Sequence, residues 1–448
     1  MGNPHVIVVP HPAKGHEIPL MELSRCLAKQ GFNITFVNIE FNHRQAGDAM
    51  RMRNNLAGQI RLVSVALGLE YGETRNEPGK LIEAIFRHMP RKLQELIEEI
   101  SASGVGKVAC VVADITAAWA LEVAKKMGIR LAAFLPAAAA MLALQYSIPK
   151  LVDDGVISSH GVPVRNQIIQ LSPAMPPIKT ESLVWACSGN QTMQKIIFRA
   201  MIKNNKALKF ADWVICNSVY DLEPAVFDLF PDFLPIGPLL DGSRHLQPED
   251  ITCLKWLNQW PPSSVLYIAF GSLTMFNKTQ FEELAFGLEL SNKPFLWVVR
   301  PGSIDKTADA YPEGFRDRLA ARGLVVDWAP QQKVLGHPSV ACFVSHCGWN
   351  SIIEGVSNGV PFLCWPYNGD QFFNETYICD MWMVGLGFNR DKNGIVTREE
   401  IRNKLDQLFD DECLKERALN LKEMAMNSVR EGGSSNRNFR NFVEWVGA

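Results

Sequence analysis

The sequence predicts an α/β protein with two doubly wound parallel sheets, and three observations carry that prediction. First, short apolar runs alternate with longer amphipathic segments along almost the whole chain, which is typical of parallel strands covered by helices on both faces. Second, the chain has 448 residues, more than one ordinary hydrophobic core accommodates. Third, a proline-rich polar stretch between Asp232 and Pro262 interrupts the alternation, which then restarts. We therefore expect two domains of similar size facing each other across a cleft.

The first half contains six strand candidates, each a short run rich in apolar or β-branched residues. They are His5–Pro10, Ile34–Glu40, Gln59–Ala66, Lys107–Asp114, Arg130–Pro136 and Trp213–Ser218. The segments between them have apolar residues near helical spacing, as Leu20, Leu23 and Leu27 show in the first of them. The predicted helices are Glu17–Gln30, Gly79–Ser101, Ala117–Met127 and Ala137–Asp154.

After the interruption, the same alternation gives five more strand candidates and then ends in three helices. The strands are Ser264–Gly271, Pro294–Arg300, Gly323–Trp328, Val340–Cys347 and Val360–Tyr367. The closing helices are Thr397–Asp411, Leu414–Arg430 and Ser435–Val446. We therefore place the N-terminal domain at residues 1–236, a linker at 237–262 and the C-terminal domain at 263–434.

Composition argues against several classes of protein. The net charge of −2 gives no sign of a nucleic-acid or anionic-membrane partner. No stretch reaches the roughly 18–20 apolar residues that span a bilayer, and Met1–Pro10 lacks the basic start and apolar core of a signal peptide. The 10 cysteines show no C-x-x-C spacing. We therefore expect a cytoplasmic protein with reduced thiols.

The strongest chemical signal lies between Trp328 and Gln371. Within this segment a strand candidate ends at His346, and Gly348 then allows close backbone approach at the start of a helix. The N–H groups and the dipole of a helix N-terminus hold phosphate well. Ligands of doubly wound sheets bind at the carboxyl ends of the strands. The segment therefore has the form of a nucleotide site.

Other residues of the segment suit the remaining parts of a nucleotide sugar. Trp328 offers a flat face for a base, and Glu354 lies one turn into the helix, where it can accept hydrogen bonds from ribose hydroxyls. Asp370 and Gln371 combine an acid with an amide, which suits sugar hydroxyls. Each residue alone has an ordinary structural explanation, such as packing or helix capping. Their combination points to a nucleotide-sugar site.

This segment resembles the signature box of the plant secondary-product UDP-glycosyltransferases, which marks their donor site. It carries W-A-P-Q at 328–331, H-C-G-W-N-S at 346–351, Glu354 and D-Q at 370–371. The resemblance extends over essentially the whole chain, including P-x-P-x-x-G-H at Pro10–His16 and F-G-S-x-T at Phe270–Thr274. It is closest to the group-83 branch, through stretches such as L-A-K-Q-G and N-S-V-Y-D-L-E.

The resemblance implies the GT-B fold, in which two Rossmann-like domains hold the acceptor (N-terminal domain) and the donor (C-terminal domain). The final helix, about 435–448, would pack back on the N-terminal domain. The implied donor contacts are Trp328 and the Ala329 backbone to uracil, Gln331 and Glu354 to ribose, His346, Gly348, Asn350, Ser351, Ser272 and Thr274 around the diphosphate, and Trp349, Asp370 and Gln371 to the hexose.

A second constellation joins His16 and Asp114. His16 follows the first strand candidate and Asp114 ends the fourth, so the two side chains can meet above one sheet. A neutral His is a base with a pKa near working pH, and a carboxylate on its other ring nitrogen fixes the tautomer. In the family's G-H position this His is the catalytic base, and Asp114 occupies the partner position. A His at a helix start is otherwise most often a cap or turn residue.

The acceptor site is less well defined by the sequence. Asn368 and Gly369 stand where the family box has an aromatic and then a small residue, and Lys14 stands where Gln is common. The loss of the aromatic should open or polarise the acceptor pocket. The candidate acceptor contacts are Phe86, Trp119, Phe134, Met141, Trp185, Met193 and Asn368. Ordinary core packing explains the aromatic and Met residues equally well.

Together these features predict an inverting, metal-independent enzyme that transfers glucose from UDP-glucose to a hydroxyl group of a small apolar or phenolic plant metabolite. UDP-glucose is the co-substrate, and no cofactor or metal is expected. Gln371 favours glucose, because the family's galactose users tend to differ there. Two alternatives remain: another GT-B nucleotide-sugar enzyme, such as an epimerase that needs no acceptor, and a non-catalytic UDP-sugar or metabolite binding protein. We expect a monomer.

Overall fold

The computed structural model describes residues 3–39, 58–67, 78–103, 107–186, 190–240, 248–303, 311–319 and 321–448. The chain forms two compact units, one of Met1–Arg244 with Asn427–Ala448 and the other of His245–Met426. The predicted linker, 237–262, falls partly outside the described residues, at 241–247. Its later part contains a helix, Pro248–Leu257, with Cys253 and Leu257 buried.

The first unit is built on a parallel sheet of seven strands in the described residues. The strands of the unit are β1 (His5–Val9), β2 (Asn33–Ile39), β3 (Ile60–Val65), β4 (Val108–Asp114), β5 (Arg130–Leu135), β6 (Ile168–Ile169), β7 (Ile178–Lys179), β8 (Trp213–Cys216) and β9 (Phe233–Pro235). The sheet order is β3-β2-β1-β4-β5-β8-β9, and β6 and β7 form a separate antiparallel pair. The chain winds in opposite directions from β1, so the topological switch lies between β1 and β4, where doubly wound sheets bind ligands.

The helices of this unit pack on the sheet because both sheet faces are apolar. They are α1 (Lys14–Lys29), α2 (Pro78–Ala102), α3 (Trp119–Lys126), α4 (Ala139–Tyr146), α5 (Ile148–Asp153), α6 (Gln191–Leu208) and α7 (Pro224–Leu229). Every residue of β1 is buried, and Val6 and Val8 share one core cluster with Leu20 and Leu23 of α1. Continuous burial of this kind is the mark of a parallel strand covered on both faces.

One predicted helix, Ala137–Asp154, is two helices in the structure. The first ends at Tyr146 and the second begins at Ile148, with Pro149 in its first turn. Proline lacks the N–H that a helix interior needs but fits the first turn, so a new helix starts there.

The second unit repeats the same design. Its strands are β10 (Val265–Ala269), β11 (Phe295–Val298), β12 (Gly323–Val326), β13 (Val340–Ser345), β14 (Phe362–Cys364) and β15 (Gly385–Gly387). Its helices are α8 (Pro248–Leu257), α9 (Lys278–Ser291), α10 (Phe315–Leu319), α11 (Gln331–Leu335), α12 (Trp349–Asn358), α13 (Gln371–Thr376) and α14 (Arg398–Asp410). A π-helical turn, Tyr377–Met381, follows α13. The sheet is parallel with the order β12-β11-β10-β13-β14-β15, which puts its switch between β10 and β13. Two parallel sheets flanked by helices confirm the predicted fold class.

Two helices close the chain, α15 (Glu412–Val429) and α16 (Ser434–Gly447). The last of them packs on the first unit, since Phe442 and Val446 belong to the core cluster of that unit. The rings of Trp213 and Phe442 lie 5.7 Å apart, and Asn438 Nδ2 donates to the Pro235 carbonyl at 2.9 Å. Among the described residues, none of these helices is long and apolar enough to cross a membrane.

Candidate active site

His16 and Asp114 lie on the two sides of the switch in the first unit. His16 is in the first turn of α1, which follows β1, and Asp114 is the last residue of β4. Their side chains meet, with His16 Nδ1 2.7 Å from Asp114 Oδ2. The His16 side chain is 28% exposed and that of Asp114 is 0% exposed. The His16 ring is therefore accessible, while the Asp114 carboxylate is shielded from water.

The surroundings of Asp114 keep it ionised. Its Oδ1 accepts hydrogen bonds from the Thr116 N–H at 2.8 Å and the Thr116 hydroxyl at 2.6 Å. Burial alone would raise the pKa of Asp114, but the charge on His16 and the hydrogen bonds from His16 and Thr116 lower it below its ordinary value. An ionised carboxylate can only accept, so His16 Nδ1 carries the proton of this pair. Nε2 is then the nitrogen that can take a proton from a substrate.

A second histidine, His11, lies against His16. The two rings are 5.1 Å apart in an edge-on arrangement. Burial, followed by the charge on His16, lowers the pKa of His11 to about 4, so His11 is neutral at working pH. His11 also lines a small cavity together with Ile85, Met89 and Trp119. The sequence prediction did not include His11, although the P-x-P pattern places it five residues before the base.

The predicted acceptor residues fall into different environments. Trp119 lines the cavity beside His11. Phe86 and Met193 are partly exposed on α2 and α6, and Lys203 Nζ lies 4.0 Å from the Phe86 ring centre. Met141 is 9% exposed on α4.

Two further acceptor candidates lie in the interior. Phe134 is 0% exposed within the core cluster of the sheet. Trp185 is 1% exposed and donates its indole N–H to the Gly161 carbonyl at 2.8 Å. The structure therefore gives these two residues packing roles, and we leave them out of the acceptor pocket proposed below.

In the second unit, the predicted donor residues gather at one edge of the sheet. They follow β10 (Ser272, Thr274), β12 (Trp328, Ala329, Gln331), β13 (His346, Gly348, Trp349, Asn350, Ser351, Glu354) and β14 (Asp370, Gln371), and the acceptor candidate Asn368 also follows β14. Since all strands of this sheet are parallel, their carboxyl ends lie on the same side. The largest group follows β13, next to the switch between β10 and β13, where ligands of such sheets bind.

The His346 ring is held between two glycines. A Cβ atom at Gly271 would lie 2.4 Å from His346 Nε2, and one at Gly348 would lie 2.5 Å from it. Gly271 also has a φ of +66°, a conformation that other residues rarely adopt. Burial lowers the pKa of His346 to about 4. The ring is therefore neutral and carries a single N–H donor.

The helix that follows His346 begins with an open N-terminus. Gly348 is its N-cap, and no side chain caps the first turn. Cys347, just before it, is left-handed with a φ of +64°, which turns the chain sharply into the helix. The Trp349 indole is 3% exposed and packs 6.3 Å from the Trp382 ring. The Trp349 side chain is therefore packed in the interior of this unit.

A hydrogen-bonded network fixes the predicted ribose contacts. Gln331 Nε2 donates to Ser351 Oγ at 2.8 Å and to Glu354 Oε2 at 2.6 Å, and its Oε1 accepts from the Tyr267 hydroxyl at 3.2 Å. Gln332 Nε2 donates to the other oxygen of Glu354 at 3.1 Å. Both oxygens of the carboxylate are thus held in place by side-chain amides. Trp328, the predicted uracil platform, is 39% exposed after β12.

The predicted hexose contacts are oriented in the same way. Gln371 Oε1 accepts from the backbone N–H groups of Tyr367 at 2.8 Å and Asn368 at 2.9 Å. This leaves the Gln371 amide nitrogen as the group that can donate to a ligand. The Asn368 side chain accepts from the Gly369 N–H at 2.8 Å, and Gly369 has a φ of +67°. Asn368 therefore supports its own turn.

Arg300 is a functional candidate that the sequence prediction missed. It lies just after β11, and its Nη2 donates to the Thr274 carbonyl at 3.2 Å. Its charge also contributes to the lowered pKa of His346, after burial. The available signal was its place at a strand end of the predicted sheet.

In the described residues, no group of three or more His, Cys, Asp or Glu side chains could hold a metal ion.

The lowered pKa of His346 predicts a pH-dependent stability. Between pH 6.5 and about 4 the unfolded chain binds a proton on this ring and the folded chain does not, so the free energy of unfolding falls as pH is lowered through that window. We expect this ring to contribute about 2 kcal/mol to the free energy of unfolding. One pKa unit corresponds to about 1.4 kcal/mol, and the full difference between 6.5 and about 4 is reduced because the His346 side chain is half-buried and water partly solvates its charged form.

Urea unfolding at pH 7 and pH 4.5 measures this difference in wild type and in His346→Gln, and the variant should lose less stability on acidification. His11, whose pKa is also about 4, contributes to both proteins and does not affect the comparison. Equal losses in the two proteins would contradict the lowered pKa of His346.

Comparisons with known proteins agree with this geometry. The sequence model described as UDP-glucoronosyl and UDP-glucosyl transferase matches residues 5–428. The chain is 48% identical over 463 residues to UDP-glycosyltransferase 83A1 of Arabidopsis thaliana. The aligned region covers 100% of this chain and 97% of that protein.

Two solved structures are similar over nearly their whole lengths. One is a UDP-glucosyltransferase from Polygonum tinctorium capable of glucosylating indoxyl, with a TM-score of 0.87, 31% identity and coverage of 100% of this chain and 99% of that one. The other is Phytolacca americana UGT2 complexed with UDP-2fluoro-glucose and pterostilbene, with a TM-score of 0.83, 27% identity and 99% coverage of both chains. This chain therefore belongs to the UDP-glucoronosyl and UDP-glucosyl transferase family: it is a UDP-glycosyltransferase of the GT-B fold that resembles the group-83 branch of the plant enzymes.

Proposed function

We propose that this enzyme transfers glucose from UDP-glucose, with inversion, to a hydroxyl group of a small apolar or phenolic metabolite. The observation that carries the proposal is the 2.7 Å contact between His16 Nδ1 and the buried Asp114. It leaves Nε2 as a base on a partly exposed ring at the switch of the acceptor-binding unit. An oriented, neutral His is the group that a hydroxyl nucleophile needs at neutral pH.

In this mechanism His16 Nε2 removes the proton of the acceptor hydroxyl as its oxygen attacks the anomeric carbon. The oxygen approaches from the face opposite UDP, so the α-linked donor gives a β-glucoside. Asp114 stabilises the imidazolium that forms. Negative charge develops on the departing diphosphate. The N-terminus of α12 and the neutral His346 ring are the groups we assign to that charge.

The choice of glucose rests on Asp370 and Gln371. The Gln371 oxygen is occupied by two backbone N–H groups, so its amide nitrogen faces the ligand as a donor. A carboxylate and an amide donor held in this way match specific hydroxyl groups of glucose. An epimer of glucose would leave the Asp370 carboxylate or the Gln371 amide unpaired. The acceptor class rests on the apolar side chains near the base: Ile85, Met89 and Trp119 lie around His11, whose ring is 5.1 Å from that of His16.

An assay with purified enzyme tests the proposal. UDP-glucose, UDP-galactose, UDP-xylose and UDP-glucuronate are each offered with a panel of phenols and alcohols, and products are identified by mass and by the anomeric coupling in NMR. We expect the products to be β-glucosides. We also expect kcat/KM for UDP-glucose to exceed that for UDP-galactose by about 5- to 100-fold, which is the effect of one unpaired buried group. Equal efficiency with UDP-galactose would contradict the donor assignment.

Omission of the acceptor provides the control. Consumption of UDP-glucose without an acceptor would favour an epimerase or hydrolase. Binding of UDP-glucose with no turnover on any acceptor would favour a non-catalytic binding protein. An α-glucoside product would contradict inversion.

A further inference from the structure

Asn374 lies in the donor unit, one helical turn after Asp370, and it is 0% exposed. Its amide nitrogen makes two hydrogen bonds. Nδ2 donates to the Cys347 carbonyl at 3.0 Å and to Asp370 Oδ2 at 2.9 Å. Since both partners are acceptors, the nitrogen of the amide must face them, and both of its hydrogens are used.

The two partners belong to the two turns that carry the proposed donor contacts. Cys347 lies between His346 and Gly348, in the left-handed turn that begins α12. Asp370 is the residue before α13, and its carboxylate does not cap that helix. Asn374 therefore connects the turn assigned to the diphosphate with the turn assigned to the hexose.

The remaining atom of this amide indicates a constrained role. Asn374 Oδ1 is buried and has no hydrogen-bond partner among the described residues. An unpaired buried acceptor lowers stability, and such groups in folded proteins usually have a specific reason. An apolar side chain would avoid that loss, but it could not donate to Cys347 and Asp370.

We propose that Asn374 is a positioning residue for sugar recognition. It fixes the direction of the Asp370 carboxylate and its distance from the diphosphate-binding turn, so that the carboxylate meets hexose hydroxyls in a set orientation. It touches neither reacting atom. This inference rests on the proposed function of Asp370 as a hexose contact.

The test compares two Asn→Asp substitutions in the same unit. Asn374→Asp has the same shape but removes both donors. Asn358→Asp is the matched control, because Asn358 Nδ2 donates at 2.8 Å to the backbone carbonyl of Glu354 and has no proposed role in the site. Calorimetry measures the affinities for UDP-glucose and for UDP, and steady-state kinetics measures kcat/KM with UDP-glucose and UDP-galactose.

We expect Asn374→Asp to lower kcat/KM for UDP-glucose about tenfold or more, the effect of one lost hydrogen bond to a charged group. UDP affinity should change less than about threefold, and the preference for UDP-glucose over UDP-galactose should shrink. Asn358→Asp should leave all three quantities unchanged. A loss of UDP affinity as large as the loss of UDP-glucose efficiency would overturn the inference, because Asn374 would then only support the fold. Wild-type efficiency in Asn374→Asp would also overturn it.

A double-mutant cycle adds a readout that a purely structural residue would not affect. If Asn374 acts through Asp370, Asn374→Asp should cost little further efficiency in an Asp370→Asn background, and additive losses would overturn the inference. Asn374→Ser, which keeps one donor, replaces Asn374→Asp if circular dichroism shows that the latter is unfolded. Absence of any transfer by the wild type would contradict the proposed function alone, since the binding comparison of UDP-glucose with UDP still decides the role of Asn374.

Discussion

His16→Ala is expected to lower kcat/KM for ordinary phenols by about 10²- to 10⁴-fold, the usual contribution of a positioned general base. The loss should depend on how tightly the acceptor holds its proton. An alkyl alcohol or ordinary phenol stays protonated at neutral pH and needs the base in full. A polychlorinated phenol is already ionised and should retain a much larger fraction of its rate. UDP affinity should not change, because His16 belongs to the other unit of the chain.

The measurement is the ratio of variant to wild-type kcat/KM across phenols of graded pKa. Asp114→Asn serves as the companion variant. It should follow the same trend less steeply, because the ring stays in place while its tautomer and its cation lose their partner at 2.7 Å. A ratio that does not vary with phenol pKa would mean that His16 positions the acceptor without deprotonating it.

Gly271→Ala is expected to weaken UDP binding by about 10²-fold and to lower kcat/KM by at least as much. The new methyl group would lie 2.4 Å from His346 Nε2, so the ring would have to leave its place between the two glycines. The hydrogen bond proposed between His346 and the charged diphosphate would be lost, at a cost of about 1.5–3 kcal/mol. Isothermal calorimetry with UDP measures the change directly.

Gly394→Ala is the matched control for this substitution. Gly394 lies in the same unit and is also left-handed, with a φ of +78°, but nothing lies within 4 Å of its missing Cβ. Gly394→Ala therefore has the cost of a left-handed alanine, about 1–2 kcal/mol, but it creates no steric clash. Gly394→Ala should lower the stability of the unit and leave UDP affinity intact. If the two variants bind UDP equally well, the contact of Gly271 with His346 has no bearing on the donor.

The parts of the fold that could be predicted are those determined by local pattern. Continuous apolar strands such as His5–Val9 indicate a parallel sheet whatever else surrounds them. The meeting of His16 and Asp114 followed from their places at two strand ends, because a doubly wound sheet brings such ends to one edge. Pro149 separates two helices within the predicted helix Ala137–Asp154, but apolar residues at helical spacing on both sides of it indicated a single helix.

The rest of the site depends on contacts between distant residues, which a single sequence does not contain. The hydrogen bond from Asn374 to Asp370 spans one helical turn, but its second bond, to Cys347, spans 27 residues. The burial of the Trp349 indole against Trp382 is equally hidden, since the neighbours of Trp349 along the chain are small or polar. Arg300 was missed because an arginine after a strand is common and gains meaning only beside Thr274.

The donor unit is one uninterrupted stretch of chain, His245–Met426, whereas the other unit is assembled from two pieces. In genetic terms, this unit is an insert with one upstream and one downstream junction. A recombination or engineering event at those two points can exchange it whole without altering His16, Asp114 or the cavity lined by Trp119. Under the function proposed above, choice of sugar and choice of acceptor would be encoded in separable stretches of the gene, so that one specificity could diversify while the other is retained.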